Sequence, residues 1–394
     1  MSNCTYCNKV FNDRQALEDD NAEVNLSDDE SMTESSDEDS VISNLLYKGI
    51  EYEFEYRTVL DGIHQILMNK DIIKDFIFES VKDTPNKRQY TDMYDSDWWR
   101  DVEKNLPIGA YVMPIILYAD ATLCNHLGKT SRHPVFMTLG NIPLACRNKV
   151  DAKILLGYIP NLEYCNWPEA CAMGAIYGSS NSSHPYHFCL VDRNTLNNVH
   201  IKKENIIIRN EHDTKNVLRQ GNGKQISTYY IRNALWKRLY FNIYTSMCVP
   251  DCMHHADLSL FQYQLRFTVE LLNLKYGSSS IKILEERLSQ IPRYPNFKIF
   301  KSGFERLNRL TASEYRDLMK NSIIVWNDLF IKLMSKFSPS NLNLPKLHSW
   351  RFHLIPSIYQ FGAVSGFTSE IYELLHKTNV KQPYRMTNKR QINK

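Results

Sequence analysis

The stretch YVMPIILYADATLCNHLG (residues 111–128) begins as a buried strand and then places a carboxylate at the end of the apolar run. Ile115, Ile116 and Leu117 follow one another in this run, and Asp120 closes it. Burying a charge is costly unless a cation or hydrogen bonds compensate it. We therefore expect Asp120 to bind a cation or to accept hydrogen bonds.

Two more β-rich runs follow, HPVFMTLGNIP (residues 133–143) and DAKILLGYIP (residues 151–160). Short polar segments of turn length separate the three runs, as in strands joined by hairpin connections. The sequence therefore predicts an antiparallel meander with Asp120 on its first strand.

Charge is distributed unevenly along the 394 residues, a length that can hold two or three domains. Residues 1–41 contain 12 acidic and two basic side chains, so the net charge of +3 leaves 45 basic and 32 acidic side chains for the rest. A basic region that follows an acidic N-terminal segment is compatible with a polyanionic partner.

The nine scattered cysteines indicate a reducing compartment. Because no apolar run reaches 18 residues and the first 40 residues do not resemble a signal peptide, we expect neither a membrane span nor secretion.

The N-terminus carries half of a zinc-binding pattern. Cys4 and Cys7 match the first half of a Cys2His2 zinc finger, but His64 is the first histidine of the chain. Half a tetrahedral ligand set does not make a closed zinc site, so we interpret residues 1–17 as an incomplete finger with doubtful Zn²⁺ binding. Residues 18–43 are acidic and rich in serine, which predicts a disordered linker.

A second group of ionisable residues occurs in PDCMHHADLSLFQYQ (residues 250–264). Pro250 suits the first turn of a helix. At 100° per residue, Asp251, His254 and His255 then share one face, whereas Asp257 points elsewhere. A first-turn acid stabilised by the helix dipole and a buried histidine pair are equally compatible with this pattern.

A third group occurs in GFTSEIYELLHKTNVKQPYRMTNKR (residues 366–390). Glu370, Glu373 and His376 are spaced by three residues on a predicted helix, so they lie along one side of it. Surface salt bridges to Lys377 are the alternative role for the two glutamates.

The order of a strand-borne Asp, a helical Asp-x-x-His and a late helical Glu resembles the DDE catalytic core of Plavaka-type transposases, in the Kyakuja–Dileera–Zisupton group of fungal elements. The matching segments include DSDWWRDVEKNLPIGAYVMPIILYADAT (residues 95–122), PDCMHHADLSLFQYQL (residues 250–265) and RLTASEYRDLMK (residues 309–320). The similarity covers roughly residues 90–390.

This resemblance implies an α/β protein with an RNase H-like core, a mixed sheet whose first three strands are antiparallel. Asp120 would be the first catalytic acid and Asp251 the second, with His254 and His255 in support. The third would be Glu370 or Glu373, and both stay open. Such a triad holds two Mg²⁺ or Mn²⁺ ions for DNA strand cleavage and transfer.

The chain then divides into six predicted segments. The incomplete finger (1–17) and the acidic linker (18–43) come first, and the others are a helical N-terminal region (44–108), RNase H-like strands with an irregular insertion (109–240), a large all-α insertion (241–345), and a C-terminal catalytic helix with a basic tail (346–394). In the all-α insertion, Thr311 and Glu314 predict a capping box.

DNA, the ends of the element, is the partner that the resemblance implies. A basic strip of Lys381, Arg385, Lys389 and Arg390 is the candidate for contacts to the phosphates. Transposases generally act as multimers, so an active protein would be a homo-oligomer. Nuclear localisation follows from the substrate alone.

Several positions depart from the family pattern. The family usually has a second cysteine where Tyr186 stands, so this chain lacks the Cys-x-x-Cys pair with Cys189. Together with the incomplete finger, this leads us to expect a decayed or truncated copy, and activity stays open. One alternative is a catalytically inactive DNA-binding or interaction protein on the same fold. The other is a metal-dependent phosphohydrolase that uses Asp251, His254, His255 and Asp257.

Overall fold

The computed structural model describes two compact units. Unit 1 comprises Met1–Ser80, Asn105–Asn166 and Glu370–Lys394, and unit 2 comprises Val81–Lys104 and Trp167–Ser369. The described residues are 41–47, 50–81, 88–124, 131–159, 171, 174–177, 182–230, 233, 236, 242–246, 249–251, 253–290, 304, 307, 310–320 and 328–387. The predicted zinc finger and most of the acidic linker lie outside these residues.

Unit 1 is built on a six-stranded antiparallel sheet. Its strands are β1 (Val41–Tyr47), β2 (Ile50–Tyr56), β3 (Ile115–Ala119), β4 (Thr122–Leu123), β5 (Ser131–Leu139) and β6 (Ile154–Ile159). The order is β1-β2-β6-β5-β3, and β4 also pairs with β5. All pairings among the described strands are antiparallel, so the parallel pairing of the predicted mixed sheet is not found among these strands.

The predicted meander is confirmed, because β3 pairs with β5 and β5 pairs with β6. Asp120 comes immediately after the last residue of β3. The buried character expected for the first strand is wrong, since Ile115 and Leu117 are exposed. The reason is topological: β3 ends the main order of strands, whereas β5 has neighbours on both sides and carries the buried Phe136 and Met137.

The helical prediction for residues 44–108 is wrong at the start of this region, where the structure has two strands. β1 and β2 form a hairpin in which Val41 pairs with Tyr56 and Tyr47 pairs with Ile50. The sequence of β2, IEYEFEY, alternates apolar and acidic residues with the period of a strand. Helices do follow in this region, from Val59 onward.

The helices of unit 1 are α1 (Val59–Leu67), α2 (Lys70–Ile73), α4 (Leu144–Arg147), α13 (Glu370–Leu375) and α14 (Gln382–Met386), with a π-helical segment (His376–Lys381) between the last two. Thr58 caps α1 by accepting the backbone N–H of Asp61 at 3.1 Å. Gly62 lets α1 approach the sheet closely, because a Cβ there would lie 2.6 Å from the Cε of Met137. Ile66 of α1 packs with Met137 in the core of this unit.

The described part of unit 2 is mainly helical. Its helices are α3 (Asp97–Glu103), α5 (Glu211–Arg219), α6 (Ile243–Ser246), α7 (Gln262–Tyr276), α8 (Ser279–Ser289), α9 (Ala312–Lys320), α10 (Asp328–Met334), α11 (Pro345–Phe352) and α12 (Leu354–Phe361), and a π-helical segment (Met253–Phe261) leads into α7. Most of residues 182–210 is irregular, as expected for the insertion.

The predicted capping box at the start of α9 is confirmed. The backbone N–H of Thr311 donates to Glu314 Oε2 at 2.7 Å, and the N–H of Glu314 donates to Thr311 Oγ1 at 3.4 Å. Phe261 and Leu265 belong to the core that packs around Tyr315 of α9. Within the described residues, no helix has the length and apolar character that crossing a membrane requires.

Candidate functional site

Asp120 lies half-buried at the end of β3, and a tyrosine of the same strand orients it. The hydroxyl of Tyr118 donates to Asp120 Oδ2 at 3.2 Å. Tyr118 is itself stacked on Tyr372 of α13, with ring centroids 4.4 Å apart and an interplanar angle of 15°. The strand therefore holds the carboxylate in a defined direction.

Helix α13 brings a second carboxylate to the same place. Tyr372 and Leu375 are buried beside Phe136 of β5, which fixes the face that α13 turns to the sheet. A carboxylate oxygen of Glu373 then lies within 4.8 Å of one of Asp120. Of the two glutamates that the sequence left open, Glu373 is the one that this carboxylate pair contains.

Two histidines of unit 1, His133 and His376, lie close enough to the pair for its charge to affect their pKa values. Burial lowers the pKa of His133, although the charge of Asp120 opposes this shift. Burial also lowers the pKa of His376, against the charges of Asp120 and Glu373, and Lys381 lowers it further. Both imidazoles are therefore neutral at pH 7. Two carboxylates this close repel each other, so a divalent cation would stabilise the pair.

The donor set of the pair suits a hard cation. Mg²⁺ and Mn²⁺ prefer carboxylate and water oxygens, and Mg²⁺ commonly binds through one or two carboxylates while keeping several waters. Asp120 and Glu373 are both half-buried, which leaves room for such waters. The residues present therefore fit the metal that the sequence predicts.

Asp251, in unit 2, caps a helical segment that starts two residues later. Its Oδ2 accepts the backbone N–H of His254 at 2.9 Å and the hydroxyl of Ser369 at 2.8 Å, and its Oδ1 accepts the N–H of Ser369 at 2.9 Å. Burial would raise the pKa of Asp251, but the hydrogen bonds and charge of His254 and the bonds from Ser369 hold it at about 2. The predicted position inside the first helical turn is wrong, because the helical segment begins at Met253.

The two histidines after Asp251 have different partners. His254 Nδ1 lies 2.5 Å from Asp251 Oδ2, and the backbone carbonyl of His254 accepts the ammonium of Lys346 at 2.9 Å. His255 Nδ1 lies 3.1 Å from the carbonyl oxygen of Asp251. Burial lowers the pKa of His255 to about 4, and Lys346 adds to the shift. His255 is therefore neutral at pH 7.

Asp257 has a partner different from those of Asp251. Its side chain is fully buried, and its Oδ2 accepts Nε of Arg316 at 3.0 Å and Nη2 at 2.5 Å. The carboxylate of Asp257 already forms an ion pair. The geometry of Asp257 therefore does not support the cluster of four residues that the phosphohydrolase alternative requires.

The other predicted residues are only partly described. Glu370 is half-buried at the first position of α13, Lys381 is half-buried, and Arg385 is exposed on α14. Cys4, Cys7, Lys389 and Arg390 lie outside the described residues.

Sequence reasoning missed the role of Tyr118. Residues two apart on a strand share a face, so the Tyr-x-Asp spacing at the end of β3 was a usable signal. The sequence also suggested no role for His348 and His353. In unit 2, their ligand atoms lie within 4.8 Å of that of Cys189.

A comparison with protein families finds a match for one part of the chain. Residues 33–170 match the family described as Plavaka transposase. The match includes β3 and Asp120, and it confirms the resemblance over these residues. No curated protein and no solved structure gives a significant match. This segment, about a third of the chain, is therefore similar to a family of transposases.

Proposed function

We propose that this protein cleaves or transfers DNA strands with Mg²⁺ or Mn²⁺ held by Asp120 and Glu373. The observation that supports the proposal is the approach of the two carboxylates to within 4.8 Å at the end of β3. The family match makes DNA the expected substrate, because it covers the strand that carries the first acid.

Each residue near the pair has a distinct task in this proposal. Asp120 and Glu373 supply the anionic ligands, and bound Mg²⁺ would activate a water or a DNA 3′-hydroxyl and stabilise the oxygen that leaves the phosphodiester. Tyr118 orients Asp120 through its hydroxyl, and Tyr372 fixes the ring of Tyr118 by stacking. His376, neutral at pH 7, lies near both acids and does not compete with the cation by its own charge.

Asp251 is the second acid of the sequence prediction, and its role in catalysis stays a prediction. Its carboxylate caps the segment Met253–Phe261 in unit 2. Asp251→Asn keeps the shape of the side chain, can still cap a helix and removes the negative charge, so folded Asp251→Asn protein tests whether catalysis requires that charge.

The RNase H-like fold is the architecture we propose for this core. The antiparallel β3-β5-β6 meander with an acid at the end of its first strand supports it. Lys381 and Arg385 follow Glu373 on the same C-terminal segment, and we propose that they contact DNA phosphates. Nuclear localisation and assembly into a homo-oligomer remain expectations that follow from this function.

The test is nicking of a supercoiled plasmid by the purified protein with Mg²⁺ or Mn²⁺. We expect metal-dependent nicking that falls at least about 100-fold in Asp120→Asn and in Glu373→Gln, because each loses an anionic ligand. Glu370→Gln is the matched control, since it removes the same charge from the same helix, and it should retain most of the activity. Loss of nicking in Asp251→Asn as well would identify the second acid.

Two results would contradict the proposal. Folded wild-type protein that binds DNA in a salt-dependent manner without nicking it, in either metal, would favour the inactive DNA-binding alternative. Hydrolysis of a small phosphate ester that requires His254 and His255 but not Glu373 would instead support the phosphohydrolase.

A further inference from the structure

A cysteine and two histidines meet in the interior of unit 2, far from one another in sequence. Cys189, His348 and His353 each offer a ligand atom within 4.8 Å of the other two. All three side chains are buried, with exposed fractions of 0%, 1% and 5%. The Sγ of Cys189 and Nε2 of His348 are 3.2 Å apart.

The two imidazoles of this cluster are incompletely satisfied. Nδ1 of His348 and Nε2 of His353 are buried and have no hydrogen-bond partner. Leaving buried polar atoms without partners is unfavourable, and neutral imidazole nitrogen is the form that binds metal ions.

Hydrogen bonds from one buried arginine hold the segment next to the cluster. Arg209 is buried and donates through Nε to the carbonyl of Tyr186 at 2.9 Å and through Nη2 to that of His184 at 2.9 Å. The N–H of Arg209 also donates to the carbonyl of Phe188 at 2.9 Å. These bonds hold the irregular segment that carries Cys189, while α11 carries His348 and His353 follows it directly.

The chemistry and spacing of the three ligands favour one metal. A thiolate with two imidazoles is a donor set typical of Zn²⁺, and His348 and His353 have the His-x4-His spacing of structural zinc sites. We propose that Cys189, His348 and His353 form a zinc site that fastens the irregular segment to α11. This site is separate from the Asp120–Glu373 pair, so either proposal can fail without the other.

The ring of Tyr186 lies next to the rings of the two histidines. Its ring centroid is 5.7 Å from that of His348 and 5.3 Å from that of His353, and it precedes Cys189 by three residues. Tyr186→Cys would therefore complete a Cys-x-x-Cys pair next to the two histidines, with the spacing of a closed tetrahedral site. This gives a substitution that strengthens the site rather than removing it.

The experiment uses the full chain with Cys4→Ser and Cys7→Ser, so that the N-terminal cysteines do not contribute zinc. We expect about one zinc per chain by elemental analysis after purification without chelators, and a cobalt–thiolate absorption band when Co²⁺ replaces zinc. Cys189→Ser and His353→Gln should weaken zinc binding at least about 100-fold, and Tyr186→Cys should tighten it at least about tenfold.

Matched controls separate ligand loss from general damage. Cys171→Ser removes another buried cysteine of unit 2, and His187→Gln removes another buried histidine. Both should keep the zinc. The proposal is overturned if the wild-type background retains no zinc and shows no cobalt–thiolate band. It is also overturned if Cys189→Ser and His353→Gln, folded by circular dichroism, bind zinc as tightly as the controls do.

Discussion

The carboxylates of the two units have different surroundings, although the sequence patterns around them gave no means to distinguish them. In unit 2, Asp257 is fully buried and paired with Arg316, and Asp251 accepts hydrogen bonds from His254 and Ser369. In unit 1, Asp120 is half-buried and lies within 4.8 Å of another carboxylate, with neutral histidines nearby. The acids of unit 2 have partners that stabilise their charge, whereas the two close carboxylates of unit 1 repel each other, so we expect a cation to stabilise that pair.

The largest effect on stability is expected at Asp257. Replacing it with Asn should lower the free energy of unfolding by about 3 kcal/mol, because removing one partner leaves the guanidinium of Arg316 without its buried counter-charge. Urea unfolding followed by circular dichroism measures this loss. An unchanged unfolding midpoint would show that the ion pair does not hold α9 against the segment Met253–Phe261.

A smaller and pH-dependent effect is expected at Asp251. Its pKa of about 2 lies below the ordinary value, so its stabilising contribution is complete above about pH 4 and is lost as the pH falls toward 2. Asp251→Asn should therefore destabilise the protein by about 2 kcal/mol at pH 6. The difference from wild type should shrink between pH 4 and pH 2. A difference that stays constant over this range would contradict the assignment of the capping role to the ionised carboxylate.

The smallest effect, and one of opposite sign, is expected at Asp120. Asp120→Asn should raise the free energy of unfolding by up to about 1 kcal/mol in EDTA, since it removes repulsion with Glu373. Mg²⁺ should stabilise the wild type and not the variant, because only the intact pair binds it. Thermal unfolding with and without Mg²⁺ gives both results. Destabilisation in EDTA would place Asp120 with the structural acids of unit 2.

Local patterns were enough to predict part of this fold. The β-rich runs with short connections predicted the meander, and the Thr311–Glu314 spacing predicted the capping box. The β1–β2 hairpin was missed because apolar residues at helical spacing farther along the region dominated its interpretation, although β2 alternates with period two.

The candidate sites depend on packing that spacing alone does not define. Glu370 and Glu373 both suited the helix pattern, and the burial of Tyr372 and Leu375 determines which of them faces Asp120. Cys189 and His348 are 159 residues apart in sequence, so no local motif could join them. The π-helical start of the segment after Asp251 likewise departs from the 100° per residue that the prediction assumed.

Direct measurement of metal binding tests the central claim that Asp120 and Glu373 form a cation site. Mn²⁺ titrations followed by electron paramagnetic resonance report the free and bound ion for the wild type, Glu373→Gln and Glu370→Gln. The account predicts saturable binding by the wild type, at least about tenfold weaker binding by Glu373→Gln, and unchanged affinity in Glu370→Gln. Equal affinity for all three proteins, or no saturable binding by the folded wild type, would contradict it.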